Sequence, residues 1–278
     1  MARPHVYRTE AIVLRRFDLG EADRILTLAT PRYGKLRALA KGVRRPTSRL
    51  AGHLEPFVRS ALLLAIGREL DLVTQAQTLD AHRRAREDLW WTAHAYCVVE
   101  VFDQLTAERQ ENEPLYDLLA QALQHVEQEA DPFVAVRAFE VGALSASGYQ
   151  PELHRCLGCQ ETLQPVVNAL SPPAGGTLCP RCGARDETAR PLTVNALKVL
   201  RLLQRGDYAT ARRLRLAPPL RREIESATAA LIQHVAQRKL QAPGFLAHVR
   251  QTEALGASEA LLPTSQPGAA HRQPPTAG

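Results

Sequence analysis

Two CxxC sequences constrain this chain more than any other feature. Cys156-Leu-Gly-Cys159 and Cys179-Pro-Arg-Cys182 are separated by 19 residues. Two such turns at this spacing can bring four thiolates to the corners of a tetrahedron, the arrangement that zinc prefers. Four cysteines complete the coordination shell, so the sequence predicts a structural zinc rather than a catalytic one. We expect Gly158 and Gly183 to give the two turns unusual backbone angles.

The residues around the two pairs support a metal rather than disulfides. The N-terminal residues MARPHVYRTE contain no apolar signal core, so we expect a cytoplasmic protein with reduced thiols. His154 is a competing ligand by position, although a lone neighbouring histidine is more often an ordinary surface residue. The fifth cysteine, Cys97, falls on the apolar stripe of a predicted helix and is expected to be an inert core residue.

Residues 1–80 have the pattern of a small β-barrel. Five segments rich in Val, Ile, Leu and Thr are separated by glycine and proline, at residues 9–18, 24–30, 35–41, 57–66 and 69–78. Five short strands predict an antiparallel barrel, and an OB-fold fits this number. An SH3-like barrel is the nearest alternative, and the strand pattern does not separate the two.

From residue 81 the apolar residues repeat at three- to four-residue spacing, which predicts helices. These are expected at 90–105, from Asn112 onward, from Asp131-Pro132 to Gly148, and at 193–203, 208–214 and 220–240. We therefore predict an α+β protein with a helical domain at 81–150 and 192–255. The zinc module is inserted at 151–191, and residues 256–278 are predicted to be a disordered tail.

The positive charge is concentrated in the barrel segment. Residues 1–80 carry 14 basic and 8 acidic residues, whereas the remainder carries 21 of each. Between Arg24 and Leu54 there are eight basic residues and no acidic one. If 35–41 is a strand, Lys35, Arg37 and Lys41 share one face, and the loop after them extends the patch on a flexible arm. Such a surface matches a phosphate backbone, although a solvated basic face is the ordinary alternative.

A second basic run extends from Lys198 to Arg222, with eight basic residues against Asp207. We expect part of it to form the polar faces of two helices; it could also extend a DNA-binding surface or receive an acidic peptide from a partner. No phosphate loop, zincin motif or nucleophile elbow occurs, and no apolar run is long enough to span a membrane. Nothing in the sequence therefore predicts an enzyme or a membrane protein. A zinc-ribbon protein associated with RNA or transcription, and a zinc enzyme acting on nucleic acid, remain as alternative functions.

Several longer sequence marks occur in the N-terminal segment and around the cysteines. They are Gly20-Glu21-x-Asp23-Arg24, Ala40-Lys41-Gly42-x-Arg44 with Ser48, Leu54-x-Pro56-Phe57, Gly175-Gly176-x-Leu178-Cys179 and Leu192-Thr193. Together with the cysteine pairs, these marks resemble the RecO family of bacterial recombination mediators. The resemblance covers essentially the whole chain apart from the tail, and its N-terminal marks are the most specific.

This resemblance implies an OB-fold, a helical domain and a zinc module. It also implies a protein that binds single- and double-stranded DNA, anneals complementary strands and catalyses no reaction. Its implied partners are RecR, RecF and single-strand DNA-binding protein, with which it would load RecA onto coated strands at the nucleoid. The positions that match the family's basic DNA-facing residues are Arg24, Lys35, Arg37, Lys41, Arg44, Arg45 and Arg49.

Overall fold

The computed structural model describes residues 5–259. Five strands form a closed barrel: β1 (Val6–Leu19), β2 (Asp23–Thr30), β3 (Gly34–Ala40), β4 (Arg59–Ala65) and β5 (Asp71–Asp80). Their order around the barrel is β1-β2-β3-β5-β4, with β1 antiparallel to β4 and β3 parallel to β5. This connectivity is that of an OB-fold, so the predicted fold is confirmed and the SH3-like alternative is excluded.

The strands alternate between an inner and an outer face, as the sequence pattern predicts. On β3, Leu36, Ala38 and Ala40 are buried inside the barrel, whereas Lys35 and Arg37 lie on the outer face. A bulge in β1 between Val13 and Arg15 shifts the register against β2. Leu14, like Ile12 two residues earlier, lies on the outer face and packs into the core of the helical domain.

The helical part contains nine helices among the described residues. They are α1 (Arg83–Glu87), α2 (Leu89–Leu105), α3 (Glu113–Gln128), α4 (Phe133–Ala146), α5 (Pro180–Gly183), α6 (Val194–Gln204), α7 (Tyr208–Ala211), α8 (Pro218–Ala236) and α9 (Ala242–Glu259). The predicted starts of α3 and α6 are confirmed by their caps. Asn112 accepts the N–H of Leu115 at 3.0 Å, and Thr193 accepts the N–H of Ala196 at 3.2 Å.

The last helix differs most from the prediction. We expected helical structure to end near Leu240, with a disordered tail over 256–278. Instead, α9 runs from Ala242 to Glu259 and buries Leu246 and Val249 in the core of the helical domain. Residues 260–278 of the predicted tail lie outside the described residues.

The segment that carries the cysteines forms a small sheet joined to the helices. Strands β6 (Asn168–Ser171), β7 (Gly176–Leu178) and β8 (Arg190–Leu192) lie in the order β7-β6-β8. The buried side chains of this segment belong to the same hydrophobic core as the helices, namely Leu153, Leu163, Leu170, Leu178 and Leu192. We keep the division at residues 80, 150 and 191 as a proposal.

Candidate metal centre and nucleic-acid interface

The four paired cysteines converge on one point. The sulfur atoms of Cys156, Cys159, Cys179 and Cys182 all lie within 4.8 Å of one another, although the two pairs are far apart in sequence. Cys156 is buried and the other three are partly exposed, so the site lies at the surface of the module. His154 is not among these clustered ligand atoms. Four thiols in this arrangement can hold a tetrahedral metal ion.

Each of the two CxxC turns is closed by the same backbone hydrogen bond. The carbonyl of Cys156 accepts the N–H of Gln160 at 2.7 Å, and the carbonyl of Cys179 accepts the N–H of Gly183 at 2.8 Å. Each bond joins the first cysteine of a pair to the residue four positions later. The two turns therefore present their sulfurs in equivalent ways, as expected of a site in which four thiolates coordinate one metal ion.

The glycines of these turns serve close packing rather than unusual backbone angles, so our expectation about them was wrong. Neither Gly158 nor Gly183 has a positive φ; the left-handed residue here is Gln160, at φ 63°. A Cβ atom at Gly158 would lie 2.9 Å from the sulfur of Cys182. A Cβ atom at Gly183 would lie 2.7 Å from the Cβ of Ala169 on β6. Glycine is needed because the second turn packs against the first turn and the sheet.

The close approach of the thiols shifts their pKa values in opposite directions. Burial disfavours the Cys156 thiolate, but N–H groups of Cys179, Cys159 and Gly158 outweigh that cost and lower its pKa to about 6. By contrast, hydrogen bonding with Cys179, followed by burial, raises the pKa of Cys182 to about 12. Four thiolates this close repel one another, and a bound divalent cation would compensate their charge.

The predicted basic residues of the barrel fall into two groups, and the first is held in ion pairs. Arg24 pairs with Asp18 and Glu55, both at 3.0 Å, and its side chain is 15% exposed. Lys35 pairs with Asp103 at the end of α2, at 2.9 Å, and is 12% exposed. These two cations are largely neutralised within the protein. Asp103 lies 68 residues after Lys35, and no local pattern could have identified it as the partner.

The second group faces solvent. Arg37, Lys41, Arg45 and Arg49 are exposed, and in the part of the chain that the structure describes no carboxylate lies within 4.0 Å of their charged atoms. Arg44 is exposed and has a longer contact of 3.4 Å to Asp18. We call these five residues the exposed cation group. It lies on the outer face of β3 and on the loop that follows this strand.

That loop is anchored to the barrel, which corrects the flexible arm that we expected. The N–H of Gly42 donates to the Asp23 carboxylate at 2.7 Å, and the N–H of Arg44 donates to the carbonyl of Ala22 at 2.9 Å. Val43 between them is buried in the barrel core. Gly42 has a φ of 63°, which glycine adopts without strain. Hydrogen bonds and the burial of Val43 therefore fix the backbone of the loop that carries these arginines.

Four arginines of the second basic run line a cleft of about 770 Å³ between the start of α4 and the segment around α7, namely Arg212, Arg213, Arg215 and Arg221. Two of its arginines are paired there, Arg212 with Glu129 at 2.9 Å and Arg221 with Asp131 at 2.5 Å. The guanidinium of Arg221 also lies 4.2 Å from the ring centre of Phe133. Part of this run is thus used within the protein, as we expected for the polar faces of helices.

A further group of possible ligands lies where the barrel meets the helices. His82 is buried at φ 40°, with Nδ1 3.1 Å from Glu127 and Nε2 3.7 Å from Asp80. The other oxygen of Glu127 accepts the N–H of Arg84 at 2.8 Å. One ligand atom from each of Asp80, His82 and Glu127 lies within 4.8 Å of the others, so the junction between the barrel and the helices contains a second possible ligand group.

Comparison with known proteins gives one consistent result. The family model described as "Recombination protein O N terminal" matches residues 1–82, and "Recombination protein O C terminal" matches residues 86–243. The boundary between the two matches falls at the His82 junction. Residues 5–259 contain no helix with the length and apolar character needed to cross a membrane.

Curated relatives agree over nearly the whole chain. A DNA repair protein RecO from Roseiflexus is 42% identical over 249 residues, which is 90% of this chain and 88% of the relative. One from Dehalococcoides mccartyi is 36% identical over 250 residues, covering 90% and 98%. One from Desulforudis audaxviator is 40% identical over 241 residues, covering 86% and 96%. With both family models matched in order on an OB-fold and a helical domain, the chain belongs to the RecO family of DNA repair and recombination proteins.

Proposed function

We propose that this chain is a recombination mediator that binds single- and double-stranded DNA and anneals complementary strands. With RecR and RecF it would load RecA onto DNA coated by single-strand DNA-binding protein, in the cytoplasm at the nucleoid. It would do so without bond-making chemistry. Annealing brings two polyanions together, and a cationic surface lowers their mutual repulsion.

The observation that carries this proposal is the exposed cation group. Its five residues lie on one strand and one anchored loop, and four of them have no acidic partner among the described residues. A preformed array of cations loses little conformational entropy when it binds phosphates. Contacts of this kind read the backbone rather than the bases, which suits a protein that must act on any sequence. Arg24 and Lys35, which belong to the seven predicted contacts, would support this surface through their ion pairs.

The four cysteines are proposed to hold a structural Zn²⁺. They leave no open coordination position for a substrate, and their segment shares its hydrophobic core with the helices. The ion would stabilise the two turns and keep the small sheet attached to the helical domain. Arg201 already donates to the carbonyl of Leu153 at 2.8 Å across this junction.

Strand annealing tests the proposal most directly. The full chain should speed annealing of two complementary DNA oligonucleotides, followed by fluorescence quenching, in the absence of nucleotide. Replacing Arg37 and Lys41 with alanine should slow annealing, whereas replacing the exposed Arg238 of the helical domain should not. Matched RNA strands separate this function from that of an RNA-binding protein. Equal annealing rates with and without the chain would refute the proposal.

The partners need a separate test. RecA, single-stranded DNA and single-strand DNA-binding protein should give slow ATP hydrolysis by RecA, and adding this chain with RecR should increase the rate. The increase should need both proteins and should depend on coating of the strand. If either protein alone gave the full increase, the proposed joint action with RecR would be wrong.

A further inference from the structure

An apolar row crosses the outer face of the barrel. Phe17 on β1 lies opposite Ile25 on β2, Ile25 lies opposite Leu39 on β3, and Leu39 lies opposite Leu72 on β5. The ring of Phe17 is 55% exposed, and the three aliphatic side chains are partly exposed. Neighbouring strands are about 4.8 Å apart, so the row spans roughly 14 Å of surface.

This row is on the outer face, and the helical domain does not cover it. The neighbouring positions Leu26 and Ala38 are buried in the barrel core, so the row residues point the other way. The helices cover the next part of the outer face, where Ile12 and Ala29 belong to the core of the helical domain. The row begins beyond that boundary.

Cations flank the row on both sides. Arg37 precedes Leu39 by two residues on the same face of β3, and the exposed Lys41 is the first residue after the strand ends, two residues beyond Leu39. Among residues 5–252, whose side chains the structure describes, neither has a carboxylate within 4.0 Å. Two acidic residues at this end of the sheet are already engaged: Asp23 accepts the N–H of Gly42, and Asp18 pairs with Arg24 and Arg44. An apolar strip between two cations therefore faces solvent.

A ligand that fits this apolar strip has flat apolar groups joined by anionic ones. Single-stranded DNA has both, because its bases can unstack and lie on an aromatic or aliphatic surface while its phosphates meet the cations. A duplex offers only its phosphates, since its bases are already stacked and paired. The loop that follows β3 also braces the β1–β2 turn, because Arg44 donates to Ala22 and Gly20 there. The ring of Phe17 is consequently presented on a supported hairpin.

We propose that three residues of this row, Phe17, Ile25 and Leu39, bind the bases of single-stranded DNA. Phe17 is the stacking ring, and Arg37 and Lys41 hold the phosphates. This inference rests on the proposed function and adds a preference between strand types. The cations serve both single and double strands, whereas Phe17 serves single strands alone.

The test compares Phe17→Ala with the wild-type chain on three ligands of equal length. These are an oligothymidine strand, the same backbone carrying abasic sites, and a blunt duplex. Phe17→Ala should weaken binding of oligothymidine by about 10-fold, because base–aromatic stacking contributes roughly 1–3 kcal/mol per base. It should leave binding of the abasic strand and of the duplex within about two-fold of the wild type. Phe17→Trp should restore oligothymidine binding.

Tyr149→Ala is the matched control, because Tyr149 is 56% exposed and lies far along the chain, beside the cysteine module. It should bind all three ligands as the wild type does. Equal weakening of the oligothymidine and abasic strands by Phe17→Ala would overturn the inference, since Phe17 would then act without contacting bases. No weakening of either strand would overturn it too, and would point to an apolar partner protein as the occupant. If Arg37→Ala and Lys41→Ala still weaken all ligands in that case, the proposed DNA-binding function stands without the base contact.

Discussion

Lys35 on the third strand of the barrel donates from Nζ to two oxygens of Asp103, the backbone carbonyl at 2.6 Å and the carboxylate at 2.9 Å. The carboxylate also pairs with Arg15 on the first strand, at 2.5 Å. Asp103 thus connects two strands of the barrel to the end of a helix. A lysine that the sequence pattern predicted to bind DNA is a link between the two domains.

We therefore expect Lys35→Ala to affect stability more than DNA binding. Removing a charged hydrogen-bond donor from this partly buried pair should lower the free energy of unfolding by about 1–3 kcal/mol. The affinity of the folded protein for DNA should change by no more than about two-fold. Denaturant titration and fluorescence anisotropy measure the two quantities. Arg37→Ala should do the reverse, since surface substitutions usually alter stability by less than about 0.5 kcal/mol. A loss of affinity equal to that of Arg37→Ala, at unchanged stability, would contradict this interpretation.

The exposed cation group should set the salt dependence of DNA binding. Removing one cation that meets a phosphate should reduce the slope of log affinity against log salt by about 0.7 for a single strand and about 0.9 for a duplex. The double substitution of Arg37 and Lys41 by alanine should thus flatten the single-strand slope by about 1.4. Arg238→Ala, which removes an exposed charge elsewhere, should leave the slope unchanged. Equal slopes for the double variant and the wild type would exclude the barrel as the binding surface.

Loss of the metal should unfold the cysteine module without abolishing a catalytic step. Zinc contributes roughly 10–16 kcal/mol to the folding of isolated zinc-finger peptides near neutral pH. We expect Cys156→Ser to lose bound zinc, lower the melting temperature and open residues 151–191 to proteolysis. Cys97→Ala should keep the zinc, because burial holds Cys97 in the helical core and raises its pKa to about 12. Elemental analysis and limited proteolysis decide the matter, and a Cys156→Ser protein with full zinc content would disprove the assignment.

His94 should make stability fall at mildly acidic pH. Its side chain is buried in α2, its Nδ1 lies 2.8 Å from the carbonyl oxygen of Trp90, and burial lowers its pKa to about 4. In the unfolded chain a histidine has a pKa of about 6.5, so below that pH the unfolded state binds a proton that the folded state does not. Stability should decrease as pH falls from 6.5 towards 4, by about 2 kcal/mol between pH 7 and pH 5.

His94→Phe isolates this contribution. The ring nitrogen Nε2 has no hydrogen-bond partner among the described residues, so an apolar ring can replace the imidazole. Chemical denaturation of both proteins at pH 7 and pH 5 should show a smaller loss for His94→Phe. The same pH dependence in both would mean that other groups cause it.

Glu100 should control the attachment of the last helix. Its carboxylate accepts the N–H groups of Gln241 and Ala242, at 2.8–3.0 Å, at the start of α9. Removing a helix cap typically costs about 0.5–2 kcal/mol. Glu100→Ala should thus increase hydrogen exchange over residues 242–252, and Glu100→Gln should do so less because its amide oxygen still accepts. Unchanged exchange in Glu100→Ala would show that packing alone holds the helix.

Several features were predictable because they are encoded over a few residues. The four cysteines, the alternation of Leu36, Arg37 and Ala38, and the caps at Asn112 and Thr193 all depend on local spacing. Two-residue and 3.6-residue periods assign a side chain to a face, and a cap needs only the next turn of helix. The OB-fold, the helical domain and the family were accessible from the sequence for this reason.

Partnerships between distant residues were not predictable in this way. A strand period puts Lys35 on the outer face, but it does not show that Asp103, 68 residues later, neutralises it. Local spacing also does not show that Glu100 in α2 accepts an N–H at the start of α9, 142 residues later. Nor does it show that Gly158 packs against Cys182.

The sequence by itself determined which residues are cationic, which are apolar and which can ligate a metal. Only the tertiary structure decided which cations remain exposed and which exposed apolar side chains line up between them. The reason is that a charge is neutralised, and a surface is covered, by whatever the fold brings within a few ångströms, and that depends on the packing of the whole chain.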